Sequence, residues 1–266
     1  LTSRLNDGPA SFNARGNLII YSRNLDTQVG IGNQIDPGNV LGLYFADYAE
    51  GEWTNIRPFP HNHTRYSLTM PAMDSAGQML IFTSDIQGGF GGTDLYISRC
   101  IDGKWSVPEN MGPGINSSAN ETYPFLSYSG TLYFSSDRQG GFGNKDIYRS
   151  DYTGEEWSEV IHIEAPINSE FDDFGLVCDD NFETGWFSSD RNITDDIFFF
   201  ETRFRPFYGC DSIKKNYYCF LFSESNYFEN DSISVQYEWS FSDGVKLDGI
   251  EVEHCFPGPG KYSVKL

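Results

Sequence analysis

Aspartates flank two copies of a glycine-rich segment, and their spacing is the feature of this sequence that most suggests chemistry. Asp85 and Asp94 enclose one Gly-Gly-Phe-Gly segment, and Asp137 and Asp146 enclose the next. Paired carboxylates beside a tight turn suit a bound cation or a small polar ligand. They also suit a structural task, because an aspartate accepts hydrogen bonds from the backbone N–H groups of a turn. The motif recurs from unit to unit, so we favour the structural interpretation.

Two further groups of side chains have types that bind metals. His61 and His63 flank one residue of a polar loop, but no acidic or cysteine partner lies near them in sequence. Asp243 and Asp248 are weak candidates for calcium, which requires six to eight oxygen ligands. An Asp-Gly turn at Asp243 is the simpler interpretation. We therefore predict no resident metal and no cofactor, and calcium is the one ion left open.

The residues that nucleophilic catalysis requires do not form a known pattern. The chain contains no Gly-x-Ser-x-Gly elbow of the kind that hydrolases use. The segment from Ser150 to Trp157 approaches a sialidase turn, but its spacing is wrong by one residue at two steps. No pair of carboxylates stands out among the 38 acidic residues. We predict that the protein is not an enzyme.

The elements that position these residues repeat along the chain. Trp53, Trp105 and Trp157 are each 52 residues apart, and Leu-Tyr-Phe-Ser-Ser-type strands precede each glycine-rich segment. Four short strands in about 50 residues is the size of one β-propeller blade. We predict an all-β fold with four blades in residues 1–204, the first of which has a longer loop. Leu1 to Asp7 would end a preceding blade, so we also expect further blades upstream.

Composition and charge limit the partners. Aromatic residues make up 16% of the 266 residues, and the formal net charge is −20. Nucleic acids require clustered Lys and Arg, so a nucleic-acid partner is not expected. No apolar run reaches the roughly 20 residues of a membrane-spanning helix.

The pattern changes after the fourth unit, where residues 207–266 predict a small, C-terminally incomplete β-sandwich. Cys210, Cys219 and Cys255 lie there, which allows one disulfide in an oxidising compartment. Cys219 with Cys255 is the first choice, and Cys210 with Cys219 is the second. Cys100 and Cys178 lie in predicted strands and are expected to be buried thiols.

The repeated units resemble TolB-type, WD-like propeller repeats. The third unit carries the pattern most fully, with Tyr-Pro-Phe-Leu-Ser, then Leu-Tyr-Phe-Ser-Ser-Asp-Arg, Gly-Gly-Phe-Gly and Asp-Ile-Tyr. The resemblance extends from Gly8 to about Phe200. The fourth unit departs from it, because Asn192-Ile193-Thr194 replaces the glycine-rich loop.

The C-terminal segment resembles a PKD domain, which has an immunoglobulin-like β-sandwich fold. The residues that carry the resemblance are Trp239, Phe241, Asp243, Gly244, His254, Phe256, Pro259, Gly260, Tyr262 and Val264. Ser242 stands where the pattern more often has glycine.

A propeller followed by a PKD-like domain resembles the PorE-type envelope lipoproteins of Bacteroidetes, which serve type IX secretion and gliding. The resemblance implies an exported periplasmic protein associated with the outer membrane, with an envelope protein as its partner. An OmpA-like domain outside this sequence would supply any contact with peptidoglycan. Three Asp-Ser-aliphatic segments, beginning at Asp74, Asp211 and Asp231, fit the O-glycosylation pattern of such exported proteins.

We therefore predict a non-enzymatic scaffold that binds a protein partner. The residues predicted to contact the partner are Val29, Ile31 and Asn33 of the long first loop and the loop tips Phe90 and Phe142. The alternative is a secreted carbohydrate-binding protein or glycosidase built on a propeller.

Overall fold

The chain divides into two compact units, Leu1–Arg203 and Phe204–Leu266. The structure, a computed structural model, describes residues 7–25, 40–202, 218–223, 236–257 and 260–266. Every regular element in these ranges is a β-strand. They contain no helix of the length and apolar character that a membrane span would need.

The strands of the first unit form four antiparallel sheets, which are the blades predicted from the repeats. Blades 1, 3 and 4 are meanders in which consecutive strands pair, and in blade 2 the last strand, β9, pairs with β7 and not with β8. Blade 1 contains β1 (Asp7–Phe12), β2 (Leu18–Asn24), β3 (Leu41–Ala49) and β4 (Glu52–Pro58). Blade 2 contains β5 (Leu68–Met73), β6 (Met79–Ser84), β7 (Asp94–Ile101), β8 (Lys104–Trp105) and β9 (Glu109–Asn110). Blade 3 contains β10 (Glu121–Leu126), β11 (Thr131–Ser136), β12 (Asp146–Asp151) and β13 (Ile161–His162). Blade 4 contains β14 (Asp173–Cys178), β15 (Thr184–Ser189) and β16 (Asp196–Glu201).

Each blade is apolar on both faces, and successive blades cover one another. Leu132 and Phe134 of β11 point toward blade 2, whereas Tyr133 between them points toward blade 4. Alternate residues of a strand lie on opposite faces, so one strand contributes to two interfaces. The interface between blades 2 and 3 joins Ala72, Ile81, Leu95 and Ile97 to Leu126, Leu132, Phe134 and Tyr148.

The innermost strand of each blade carries a β-bulge at the same place. The register shifts between Thr69 and Ala72 in β5, and the equivalent shifts occur in β1, β10 and β14. Met70, Tyr123 and Gly175 lie at the bulges and have positive φ angles of 50°, 50° and 65°. A bulge bends a strand and increases its twist. The inner strands β5, β10 and β14 therefore bend at equivalent positions.

Hydroxyl groups of one blade satisfy the bulged backbone of the next. The Met70 N–H donates to Ser22 Oγ at 3.1 Å, and the Gly175 N–H donates to Ser135 Oγ at 3.3 Å. Thr83 is the corresponding residue of blade 2, but its Oγ1 has no hydrogen-bond partner within the described part of the chain. The Tyr123 N–H donates instead to the sulfur of Met70.

In blades 3 and 4 the first residue of the inner strand forms a buried ion pair with an arginine. The guanidinium of Arg138 lies 3.1 Å from the fully buried carboxylate of Glu121. Arg191 and Asp173 form the same pair in blade 4, at 2.5 Å. Each arginine also stacks over two aromatic rings of its own blade.

Blade 2 has an apolar pair where blades 3 and 4 have ions. Leu68 pairs with Ser84 just as Glu121 pairs with Ser136, so Leu68 occupies the glutamate position. Ile86 follows Ser84 by two residues, as Arg138 follows Ser136, and Ile86 packs in the same cluster as Leu68. In blade 2, apolar side chains therefore occupy the positions of both the carboxylate and the guanidinium.

The second unit has two small sheets around one aromatic core. One sheet pairs β17 (Tyr218–Ser223) with β20 (Glu251–Phe256), and the other has the order β19 (Lys246–Asp248), β18 (Glu238–Phe241), β21 (Val264–Lys265). Trp239, Phe241, Val252 and Phe256 form the core between them. The short strand β19 is absent from the sequence-based prediction, which has only a turn at Asp243-Gly244.

The ion pair of blade 3 and the apolar pair of blade 2 lead to a double-mutant prediction. Replacing Glu121 alone with Leu leaves Arg138 without its carboxylate and should lower the free energy of unfolding by about 3 kcal/mol. The double variant Glu121→Leu/Arg138→Ile should lose less than about 1.5 kcal/mol, because well-packed apolar residues often replace a buried ion pair without loss. Urea denaturation of the propeller unit measures both values. A double variant as unstable as the single variant would contradict the equivalence of the two pairs.

Candidate docking cleft at the centre of the propeller

The carboxylates of the glycine-rich loops bind backbone N–H groups. Asp94 accepts hydrogen bonds from the N–H groups of Phe90 and Gly91, at 2.7 and 3.1 Å. Asp146 accepts those of Phe142 and Gly143, both at 3.2 Å. The aspartates before the loops act similarly, since Asp85 accepts the Ser67 N–H and Asp137 accepts the Asn120 N–H. The structural interpretation of these carboxylates is confirmed.

The loops between these carboxylates, residues 85–94 and 137–146, hold the next blade, and we call each an inter-blade clasp. The Glu121 N–H donates to the Thr93 carbonyl at 2.8 Å, and the Asp173 N–H donates to the Lys145 carbonyl at 2.7 Å. A Cβ built on Gly91 would lie 1.6 Å from the Ala119 carbonyl oxygen, and one on Gly143 would lie 1.9 Å from that of Phe171. Glycine is therefore required where the clasp touches the incoming chain.

The predicted partner contacts are spread over separate places. Phe90 and Phe142 are about half exposed at the tips of the two clasps, in different blades. Phe142 packs edge-on against His162. Val29, Ile31 and Asn33 lie outside the described residues. Contact of Phe90 and Phe142 with a partner stays a prediction.

The candidate metal ligands have other contacts. His61 Nε2 lies 3.1 Å from the Trp105 carbonyl oxygen, whereas His63 stacks on Tyr66. Asp243 Oδ2 accepts a hydrogen bond from the His254 ring at 2.7 Å. Asp248 lies in β19, opposite Glu238.

Two of the cysteines form a disulfide, and two others are free. Within the described ranges, the one group of three potential metal ligands contains Cys219, Glu253 and Cys255, and its two cysteines form a disulfide across β17 and β20. A disulfide sulfur is not a thiolate ligand. Cys100 and Cys178 are free thiols and partly buried.

A cleft of about 600 Å³ lies where the inner strands of the four blades converge. Three aromatic side chains at its rim, Phe12, Tyr128 and Trp186, are about half exposed. Two carboxylates, Asp179 and Asp180, stand beside them. Large rings beside a few polar groups are typical of sites that bind other proteins or peptides. The residues that complete the lining are Ala10, Ser11, Met73, Phe125, Leu126, Ser127, Val177, Cys178 and Thr184.

The polar groups of the cleft are engaged in local structure. Asp179 accepts hydrogen bonds from the Glu183 N–H, from the hydroxyl and N–H of Thr184 and from the Asn181 N–H, which hold the pKa of its carboxyl below the usual value. Asp180 accepts the Ser129 N–H at 3.1 Å and joins blades 3 and 4.

The cleft contains no activated nucleophile. Burial raises the pKa of the Cys178 thiol to about 11 and outweighs the hydrogen bond from Tyr133. A thiol with that pKa is not a thiolate at neutral pH. Among the described residues that line the cleft there is no His, Lys or Arg. The arrangement can bind a ligand by contact and hydrogen bonding, and its two carboxylates, Asp179 and Asp180, already accept hydrogen bonds from backbone N–H groups.

An apolar strip continues from the cleft across blade 4. Val177 pairs with Trp186, and Trp186 pairs with Phe199, so these three side chains lie side by side on one face of the sheet. Ile197 lies two residues before Phe199 on β16 and is therefore on the same face. We call these four residues the outer face of blade 4. Neither the cleft nor this face has a sequence motif, because both depend on which neighbours surround a strand.

Comparisons with known proteins agree with this architecture. Residues 211–266 match the family model described as PKD domain. No curated protein matches the chain. TolB from Agrobacterium tumefaciens is 13% identical with a TM-score of 0.50, over 74% of this chain and 62% of that protein. TolB from Acinetobacter baumannii is also 13% identical, with a TM-score of 0.49, over 76% of this chain and 42% of that protein.

A peptidase structure is similar to this chain at about the same sequence identity. The puromycin-hydrolyzing peptidase from Mycobacterium tuberculosis is 12% identical with a TM-score of 0.48, over 76% of this chain and 28% of that protein. The chain is an all-β protein in which β-propeller blades precede a PKD domain. The likeness to TolB from Agrobacterium tumefaciens, at 13% identity, shows the fold alone.

The close approach at Gly143 gives a prediction for the clasp. Gly143→Ala should lower the free energy of unfolding by about 2 kcal/mol, because the new methyl group must displace backbone between blades 3 and 4. Gly114→Ala is the matched control, since a Cβ there meets no atom within 4 Å. Urea denaturation of the two variants measures the difference. Equal stabilities would show that the clasp does not constrain the blade interface.

The Asp243–His254 contact gives a pH prediction for the PKD domain. Burial opposes ionisation of Asp243, but hydrogen bonds from His254 and the Val245 N–H outweigh it and hold the pKa of Asp243 below the usual value. Stability from this carboxylate is therefore present above the usual aspartate pKa of about 3.9 and is lost as the pH falls through the lower folded pKa. Thermal melting followed by the NMR amide signals of β18 and β20 should show this loss in the wild type. Asp243→Asn should give a flatter profile, and identical profiles would contradict a role for Asp243.

Proposed function

We propose that this chain is a non-enzymatic protein-interaction module of the bacterial cell envelope. The observation that carries the proposal is the central cleft, which presents Phe12, Tyr128 and Trp186 to solvent and has no His, Lys or Arg among its described lining residues. Aromatic side chains are enriched where one protein binds another, since burying one removes a large apolar area from water. The PKD domain then acts as a spacer or a second contact.

The place of action follows from the resemblance of the sequence to PorE-type envelope lipoproteins. We propose a periplasmic location at the outer membrane and a role as a component or accessory of type IX secretion or gliding. A disulfide between Cys219 and Cys255 supports an oxidising compartment. The net charge of −20 disfavours nucleic acid as the partner. Contact with peptidoglycan would require a domain outside this sequence.

The first experiment tests whether the cleft binds the partner. The tagged full-length protein is cross-linked in its native envelope and purified, and the captured proteins are quantified by mass spectrometry. Tyr128→Glu places a charge at the rim of the cleft and should reduce the captured partner at least tenfold, because a charge in an apolar contact is costly. Val107→Glu, at an exposed site in blade 2, should change nothing.

A second variant in the same experiment tests the long first loop. Deletion of residues 26–39 removes Val29, Ile31 and Asn33 and should also reduce capture. Unchanged capture would remove the loop from the proposal. If the wild-type protein captures no envelope protein at all, and the isolated propeller binds or hydrolyses a glycan, the proposed function is wrong.

A further inference from the structure

A polar groove of about 570 Å³ lies over the junction of blades 1 and 2 and shares no lining residue with the central cleft. Its walls are the turn between β1 and β2, the turn between β5 and β6, and residues of β3 and β4. Two arginines and one aspartate line it, so the lining is positively charged in a protein whose net charge is −20. The groove opens between two neighbouring described blades, so it forms whether or not another blade packs on the far face of blade 1.

One side of the groove is a hydrogen-bond network that holds Arg57 in place. The Arg57 guanidinium donates to both carboxylate oxygens of Asp47, at 2.7 and 2.9 Å, and to the Asn55 carbonyl at 3.0 Å. It also lies over the Phe45 ring, 5.6 Å from the ring centroid. Hydrogen bonds from Arg57 and from the Asn55 side chain outweigh burial and hold the pKa of Asp47 below its usual value. The Nε–H and one Nη2–H of Arg57 have no partner in the described part of the chain.

The turn between β1 and β2 is fixed by Asn13, which is buried. Its Oδ1 accepts the N–H groups of Asn17 and Leu18, at 3.1 and 3.2 Å, and its Nδ2 donates to Asn17 Oδ1 at 2.8 Å. This last bond orients the Asn17 amide and leaves its Nδ2 group free to donate. The Ala14 N–H donates to the Ser75 carbonyl at 3.0 Å, so the two turns and the width of the groove between them are fixed.

The unpaired groups of the groove are mainly hydrogen-bond donors. The side chains of Arg15, Ser75 and Gln78 line it and have no hydrogen-bond partner within the described ranges. Arg15 offers a fork of N–H groups, and Asn17 and Gln78 each offer an amide. Asp47 does not compete for these donors, because Arg57 occupies both of its oxygens. A ligand that satisfies the groove is therefore rich in acceptor oxygens, and a carboxylate matches the guanidinium fork with two parallel hydrogen bonds.

This arrangement belongs to one groove and does not recur. Contacts that build the propeller, such as the bulges and the clasps, are repeated between blades. The two positions equivalent to Asp47 and Arg57 hold Arg99 and Glu109 in blade 2, and Asp151 and Ile161 in blade 3. The Asp47–Arg57 pair is about 40% exposed, so water screens its charges and it contributes little to stability. Neither the fold nor its stability requires the arrangement, which favours a role in binding.

The size of the groove favours an organic ligand over a lone ion. Its volume lies within the range of about 300–1,000 Å³ that is usual for small-molecule sites. An inorganic anion would occupy one guanidinium and leave the Asn17, Ser75 and Gln78 side chains unused. Sugar hydroxyls both donate and accept, so they suit amide and hydroxyl groups. Leu18 and Ala76 also line the groove and can contact the C–H groups of a sugar ring.

We propose that the groove between blades 1 and 2 binds an acidic saccharide. Arg15 and Arg57 hold the carboxylate of a uronic acid. The side chains of Asn17, Ser75 and Gln78 bind the ring hydroxyls. The site goes beyond the proposed function, because it takes a second kind of ligand and does not use the central cleft.

The probe is trigalacturonate, and its matched control is the fully methyl-esterified trisaccharide, which has the same rings without the charge. Titration of the full chain, followed by amide NMR signals, should show the acid binding at least tenfold tighter than the ester. The amide signals of Asn17 and Gln78 should shift, and added salt should weaken the binding. Inorganic phosphate should bind at least tenfold more weakly than trigalacturonate. Equal binding of acid and ester, or phosphate binding as tight as trigalacturonate, would overturn the proposal.

Variants locate the ligand. Arg15→Ala should weaken trigalacturonate at least fivefold, and Arg15→Lys should weaken it less, because lysine keeps the charge but lacks the fork. Arg65→Ala is the matched control, since it removes the same charge from an exposed side chain that does not line the groove. It should leave the affinity unchanged. Equal effects of Arg15→Ala and Arg65→Ala would mean that overall charge attracts the saccharide, and the groove would be excluded.

This proposal and the proposed function fail in different ways. Capture of an envelope protein that Tyr128→Glu reduces, without binding of trigalacturonate, would keep the proposed function and overturn the saccharide site. Trigalacturonate binding that Arg15→Ala weakens, without any captured envelope protein, would do the reverse.

Discussion

The packing of one sheet face on the next is the interaction on which the propeller unit depends. A blade of three to five short strands is apolar on both faces, so it cannot bury either face by itself. Phe134 is buried because Ile81 and its neighbours lie against it, and Tyr133 on the same strand is buried because Phe187 lies on the other side. Stability is therefore a property of neighbouring blades and not of one blade. Any blade with an uncovered face must accept exposed apolar area or find a partner.

The hydrogen bonds between blades also depend on the neighbouring blade. The bulged N–H groups of β5 and β14 need the hydroxyl groups of Ser22 and Ser135 on preceding blades. The clasps need glycine where they approach Ala119 and Phe171. These contacts fix the angle at which each blade meets the next, because a hydrogen bond is directional whereas apolar packing is not.

Much of this architecture could be predicted from the sequence, because its signals are local and repeated. The 52-residue spacing of Trp53, Trp105 and Trp157 indicates the blades, and the alternation around Phe134 indicates two buried faces. The structural task of Asp94 and Asp146 could also be predicted, since its partners lie three or four residues away. The fold class, an all-β propeller followed by a PKD domain, is confirmed.

What the sequence did not reveal depends on distant residues. Glu121 and Arg138 form a pair only because two strands place them together, and no motif joins them. The clearest sign of this pair in the sequence is that two apolar residues, Leu68 and Ile86, stand at the two equivalent positions in blade 2. The cleft has no motif either, because single residues from several strands line it. Trp186 looks in sequence like any buried strand residue, and its exposure is decided by the absence of a covering sheet among the described residues.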